Sequence, residues 1–156
     1  MATFQQSSNT LFSDIETVFK AQRAQVPAVA ASTANTRIRK LKHLAEVLMA
    51  NRTKIQEALF ADFHKPATET DIIEIFPLLV EIKHTSRRLH RWMRPRPVDT
   101  PWPLLGTSSQ IRYEPKGAIL IISPWNFPLQ LALAPLISAV AAGNTVIIKP
   151  SEFTPH

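Results

Sequence analysis

The sequence predicts an α/β chain, with helices across the first hundred residues followed by one strand–helix–strand unit of a parallel sheet. Three observations carry this expectation. Apolar residues recur at helical spacing between Thr10 and Met93. Pro95, Pro97, Pro101 and Pro103 then crowd one short connection. Beyond Gly117, two short apolar runs, Ala118–Ile122 and Thr145–Ile148, flank the longer apolar run from Leu129 to Ala142.

The first helix is expected from Thr10 to Gln25, with Leu11, Ile15, Val18 and Phe19 on one face; Pro27 and the small residues after it should end it. Asn35 is the expected N-cap of a second helix carrying Ile38, Leu41, Ala45 and Leu48, its stripe widened by Leu44, Val47, Ile55 and Leu59. A third helix is expected from about Glu69 to Met93, with Ile72, Ile75, Phe76, Leu79, Ile82, Leu89 and Trp92 inward. Pro77 lies inside this pattern and demands a kink or an earlier break. Residues 1–95 thus read as a helical part. Residues 96–116 read as a proline-rich, extended connection without helix, closed by a half-buried strand over Ser109 to Glu114.

Residues 117–156 read as the first βαβ unit of a Rossmann-like sheet. Ala118–Ile122 is apolar without a break, as in a parallel strand covered on both faces. Pro128 suits the first turn of a helix, and Leu129–Ala142 is apolar nearly all round. Gly143 is the expected left-handed C-cap before the second strand. The spacing matches a right-handed parallel crossover.

Composition sets outer limits. The 156 residues are 45% hydrophobic and 19% charged, enough to bury a core. No apolar run reaches the roughly 20 residues that cross a bilayer. Met1–Ser13 lacks a basic region followed by an apolar one, so no secretory leader is expected. Asp14 and Glu16 weigh against a transit peptide, and a cytoplasmic location is expected. The net charge is +6. Much of it lies in Lys83, Arg87, Arg88, Arg91, Arg94 and Arg96, with His84 and His90. This stripe reads either as a nucleic-acid contact or as the solvated face and C-terminal end of a helix, where cations suit the dipole. No recognition motif accompanies it, so no nucleic-acid partner is expected. The chain has no cysteine, which excludes disulfides, thiolate metal sites and a cysteine nucleophile within it. No metal site is expected.

Ligands of open parallel sheets bind beyond the carboxyl ends of the strands. Two loops occupy that place, Ser123-Pro124-Trp125-Asn126-Phe127-Pro128 and Lys149-Pro150-Ser151-Glu152. The first has no glycine, and the chain has no G-x-G-x-x-G, so the usual close backbone approach to a pyrophosphate is missing here. The second offers a cation for phosphate or ribose hydroxyls and a carboxylate able to accept from a ribose 2′-OH. On spacing alone, Asn126 reads as a helix N-cap or turn residue, and Lys149 and Glu152 as solvated flanks of a turn.

Glu114-Pro115-Lys116-Gly117, Pro124-Trp125-Asn126-Phe127-Pro128, Ala141-Ala142-Gly143-Asn144 and Lys149-Pro150-Ser151-Glu152 closely resemble, in order and spacing, the aldehyde dehydrogenase superfamily. The first two look most like its class 3 branch of fatty or aromatic (coniferyl-like) aldehyde dehydrogenases. The resemblance implies NAD(P)-dependent oxidation of an aldehyde to a carboxylic acid through a cysteine thiohemiacetal, with NAD or NADP as cofactor. It implies that Asn126 is the oxyanion-hole donor. It also implies that Ile122, Ser123, Pro124 and Trp125 line the cofactor cleft, and that Lys149 and Glu152 flank the adenosine ribose. Glu152 favours a free 2′-OH while Lys149 tolerates a 2′-phosphate, which leaves NAD and NADP both open. A homodimer or homotetramer is the family's usual assembly.

The family's cysteine, its catalytic glutamate and its later Gly-rich turn have no counterpart in these residues. The chain is therefore expected to be an incomplete, amino-terminal part of such an enzyme, inactive alone. Two alternatives are a truncated, non-catalytic binding or regulatory protein and a basic helical nucleic-acid binder.

Overall fold

The computed structural model describes residues 12–156, with side chains from 14 onward. The expected helix start at Thr10 and the placement of Leu11 lie outside the described residues. Helix α1 is Phe12–Ala30, α2 is Ala34–Ala50 and α3 is Arg52–Phe63. The short α4, Ala67–Thr70, passes through a π-helical turn, Asp71–Ile75, into α5, Phe76–Trp92. Strands β1 (Arg96–Val98) and β2 (Ser109–Ile111) form an antiparallel hairpin. The βαβ unit follows as β3 (Ala118–Ile122), α6 (Pro128–Ala142) and β4 (Thr145–Lys149), with β3 and β4 parallel.

Several boundaries differ from the sequence expectation for local reasons. Pro27 does not end α1. It forfeits only its own bond to the preceding turn, and the chain closes beyond it as Ala31 N donates to Pro27 O at 3.1 Å. Thr33, not Asn35, caps α2: its backbone is extended and its hydroxyl accepts from Thr36 N at 3.2 Å. The second helical stripe is split at Asn51, whose backbone and side-chain amides both donate to Val47 O. The π turn before Pro77 resolves the conflict that proline creates. Across this junction Glu74, Ile75, Leu78, Ile82, Thr85 and Leu89 are buried. Ile72 and Phe76, expected inside, are each 61% exposed, and Trp92 is also exposed. The prolines forbid an α-helix at Pro101–Pro103 but not a single 3-10 turn, Trp102–Leu104. The strand expected to reach Glu114 pairs only as far as Ile111.

The core joins three helices. Leu41 and Leu48 of α2 meet Leu78, Ile82 and Leu89 of α5 and Ile137 and Ala141 of α6. Burying each large aliphatic side chain contributes about 1.5–3 kcal/mol. Helices α1 and α6 lie against the β3–β4 ribbon. Burial along β3 alternates rather than being continuous, because Ile121 is covered whereas Leu120 and Ile122 are 60% and 68% exposed. The basic residues from Lys83 to Arg96 are exposed on α5 and just beyond it.

The C-terminal end of α6 is held by polar contacts. Arg37 is buried; its guanidinium donates to Ala141 O (3.0 Å), Ala30 O (2.8 Å) and Ser32 Oγ (3.0 Å). Burial lowers its pKa below the usual arginine value. A cation at the carbonyl ends of α1 and α6 also complements their dipoles. Asn144 then accepts from Gly117 N at 2.8 Å and donates to Ala139 O at 3.2 Å, fixing the starts of both strands.

Gly143 has φ +87°, and a Cβ there would lie 2.4 Å from the Arg37 guanidinium. Gly106 in the hairpin has φ +93° and open space around it. Gly106→Ala should therefore cost only the left-handed backbone penalty of about 1–2 kcal/mol. Gly143→Ala should cost distinctly more by urea unfolding, because Arg37 must also move.

Asp71 accepts from Arg52 Nε and Gln56 Nε2, both at 2.9 Å, tying α3 to the π turn. The Arg52 hydrogen bond, reinforced by Gln56 and by the guanidinium charge, holds the Asp71 carboxyl below its ordinary pKa. A depressed carboxyl stabilises the fold above its unfolded pKa, near 3.9. That stability is lost as pH falls through the lower folded value. Asp71→Asn should flatten this part of the acid-unfolding curve, measured by circular dichroism below pH about 4.

Candidate functional site

Parallel pairing sets both loops of interest at one end of the ribbon. Ile122 is the register partner of Lys149, and Ser123 N extends the ladder by donating to Lys149 O at 3.1 Å. Side chains that follow the strands therefore start from adjacent points at the carboxyl edge, where parallel sheets bind ligands.

Each position singled out in the sequence has a distinct setting here. Ile122 is exposed. Ser123 is buried, and its hydroxyl has no hydrogen-bond partner among the described residues. Pro124 is exposed. Trp125 is half exposed, its indole stacked on Phe63 with ring centroids 6.2 Å apart and planes at 29°. Asn126 is exposed and its amide takes part in no hydrogen bond among the described residues. It is not a helix cap: the cap position of α6 belongs to Phe127, whose side chain caps nothing. Lys149 and Glu152 form an exposed ion pair three residues apart, rather than standing as separate solvated charges. The hydrogen bond from Lys149 holds the Glu152 carboxyl below its ordinary pKa. No hydrogen bond links this pair to Asn126, so the site has two separate polar stations along one edge.

The sequence reading missed the groups that hold the first loop. Glu74, on the π turn, is wholly buried and ion-paired with Lys65 at 2.7 Å. Its other carboxylate oxygen accepts from Gln130 N, in the first turn of α6, at 2.9 Å. Glu74 thus supplies from another helix the cap that Asn126 and Phe127 do not. The Lys65 ammonium also lies 5.0 Å from the centroid of the Phe127 ring and 5.7 Å from that of Phe63. The signal available in the sequence was a single Glu among Ile72, Ile73 and Ile75, since a charge on an apolar face requires a partner.

Among the described residues, no group of three or more His, Cys, Asp or Glu side chains could hold a metal ion. No helix among them is long and apolar enough to cross a membrane.

Comparison with known proteins gives this geometry a family. The model of the aldehyde dehydrogenase family matches residues 1–156. A probable coniferyl aldehyde dehydrogenase of Pseudomonas aeruginosa is 37% identical over 99% of this chain, which spans 33% of that protein. The solved structure of the Staphylococcus aureus enzyme AldH in a substrate-bound state superposes with a TM-score of 0.86 at 41% identity. That match covers 90% of this chain and 31% of the other. An NAD-dependent benzaldehyde dehydrogenase of Corynebacterium glutamicum gives a TM-score of 0.79 at 28% identity, covering 92% and 30% respectively. The chain thus spans about a third of the length of these relatives. With the family model matched from end to end, the chain belongs to the aldehyde dehydrogenase family.

Proposed function

We propose that the protein carrying this chain oxidises aldehydes to carboxylic acids with NAD or NADP, and that this stretch supplies the electrophile-stabilising side of its active site. The observation that carries the reading is the Asn126 amide. It is exposed beyond the carboxyl end of a parallel strand, unused by any hydrogen bond among the described residues, on a loop held on both flanks. An amide N–H so placed can donate to an aldehyde oxygen and donate more strongly as that oxygen gains negative charge. The nucleophile comes from outside these residues, because they contain no cysteine.

The donor set suits the adenosine end of a dinucleotide. The carboxylate of Glu152 can accept from ribose hydroxyls, and the ammonium of Lys149 can donate to a hydroxyl or a 2′-phosphate. It does not suit the pyrophosphate, since Gly117 and Gly143 lie at the opposite ends of β3 and β4 and neither loop has a glycine. Ile122, Ser123, Pro124 and Trp125 would line the cleft between these stations. When bound, the dinucleotide supplies the hydride acceptor.

The parts assigned to the chain are a helical region (1–95), a connection with a β-arm (96–116) and a βαβ unit (117–156). The assembly proposed is a cytoplasmic homodimer or homotetramer, for which the exposed Trp102 and Leu105 of the β1–β2 hairpin offer apolar contact area. The family resemblance supports an aromatic or fatty aldehyde as substrate.

In the complete enzyme, Asn126→Ala should lower kcat by roughly 100- to 1,000-fold while leaving the dinucleotide KM nearly unchanged. A wild-type kcat would remove Asn126 from the chemistry. Glu152→Ala should shift the NADP-to-NAD ratio of kcat/KM upward, by removing the charge that repels a 2′-phosphate; an unchanged ratio would place the ribose elsewhere. A polypeptide of these 156 residues alone should show no aldehyde oxidation above background in a NADH-absorbance assay.

A further inference from the structure

The chemistry proposed for Asn126 depends on where its amide points, yet no hydrogen bond of its own among the described residues fixes it. Its neighbours are fixed instead. On one side Trp125 stacks on Phe63, the last residue of α3. On the other, Phe127 lies beneath the Lys65 ammonium, and Gln130 N is bonded to Glu74. These contacts converge on a single buried ion pair, Lys65–Glu74, whose members come from the α3–α4 connection and the π turn. Lys65 is 8% exposed and Glu74 not at all. Glu74 divides its two oxygens, one to Lys65 and one to the first turn of α6. Glu74 lies within the π turn, and such turns recur at functional sites.

We propose that Lys65 and Glu74 are positioning residues for Asn126, clamping the segment from Trp125 to Gln130 so that the Asn126 amide stays aimed while free of internal bonds. This rests on the oxyanion reading of Asn126 given above. The pair touches no reacting atom. It acts by removing the freedom of the loop, so that the donor needs no reorganisation when charge develops. A donor displaced by about 1 Å can lose on the order of a hundredfold in rate. Loss of the clamp therefore falls mainly on kcat, because the charged groups proposed for the dinucleotide, Lys149 and Glu152, lie on the other loop.

The test is a kinetic cycle in the complete dehydrogenase. Glu74→Gln is expected to lower kcat by about tenfold or more, with the KM for the dinucleotide within about twofold of wild type. In an Asn126→Ala background the same change is expected to cost less than about twofold, because the group it positions is gone. Equal losses in both backgrounds, or an undiminished kcat in Glu74→Gln, overturn the clamp and leave the oxyanion reading standing. An Asn126→Ala enzyme at wild-type rate overturns both.

Glu74→Gln leaves the Lys65 charge buried without a partner and can cost folding. The second variant is therefore Lys65→Met combined with Glu74→Leu, which replaces the pair by apolar groups. It is expected to fold, with a melting temperature at or above that of wild type, yet to remain as slow as the single variant. Wild-type turnover in this folded double variant overturns the proposal. Failure of the double variant to fold marks the pair as structural and overturns it equally.

Discussion

A carboxylate removed from water must find its compensation inside the protein, and Glu74 finds it in two parts of the chain at once. One oxygen meets the Lys65 ammonium and the other a backbone N–H at the start of α6. Removing Lys65 or Glu74 alone would cost about 3–5 kcal/mol, since the other's charge would remain buried without compensation. The α3–α4 connection, the π turn and the N-terminal end of α6 therefore behave as one mechanical unit. The loop that carries Asn126 is short and is strung between that unit and the end of β3, so its conformation follows from theirs. The π turn is part of the same solution. It carries Glu74 on its buried side, while Ile72 and Phe76 are exposed.

The opposite end of α6 is governed by a second buried charge with a different kind of partner. Arg37 faces carbonyls, not a carboxylate. The left-handed Gly143 lets the chain turn directly against the guanidinium, and Asn144 then ties the starts of β3 and β4 together. Helix α6 is thus anchored at its positive end by an anion and at its negative end by a cation, each from a distant helix. Between them Ile137 and Ala141 pack into the core. The strand ends, and with them the Lys149–Glu152 pair, inherit a fixed position from this arrangement.

Much of this was legible in the sequence where a local rule decides the outcome. The strands Ala118–Ile122 and Thr145–Lys149, the helix opening at Pro128 and the glycine stop at Gly143 follow from apolar runs, a proline and a left-handed position. The site loops followed from topology, because parallel strands place their carboxyl ends together. Three features were hidden because they depend on contacts between distant parts of the chain. Periodicity treats residues 69–93 as one helix and cannot see the π turn within it. The Lys65–Glu74 pair joins residues on either side of a short helix, and its third partner is a backbone amide 56 positions further on. Burial of β3 was overestimated, since an apolar run does not say how many neighbours are present to cover it. The N-cap reading of Asn126 failed for a related reason: a residue from elsewhere caps α6, which leaves the amide available.

The oxyanion role proposed for Asn126 depends on the direction of that amide when negative charge forms on a bound aldehyde. The most direct measurement is a crystal structure of the complete enzyme with an aldehyde-derived adduct that carries a tetrahedral oxygen at the reacting carbon. The expected structure has the Asn126 Nδ2 within about 3 Å of that oxygen, with Trp125 still stacked on Phe63 and Gln130 N still bonded to Glu74. An adduct oxygen held by other donors, with the Asn126 amide turned to solvent or bonded within its own loop, would contradict it.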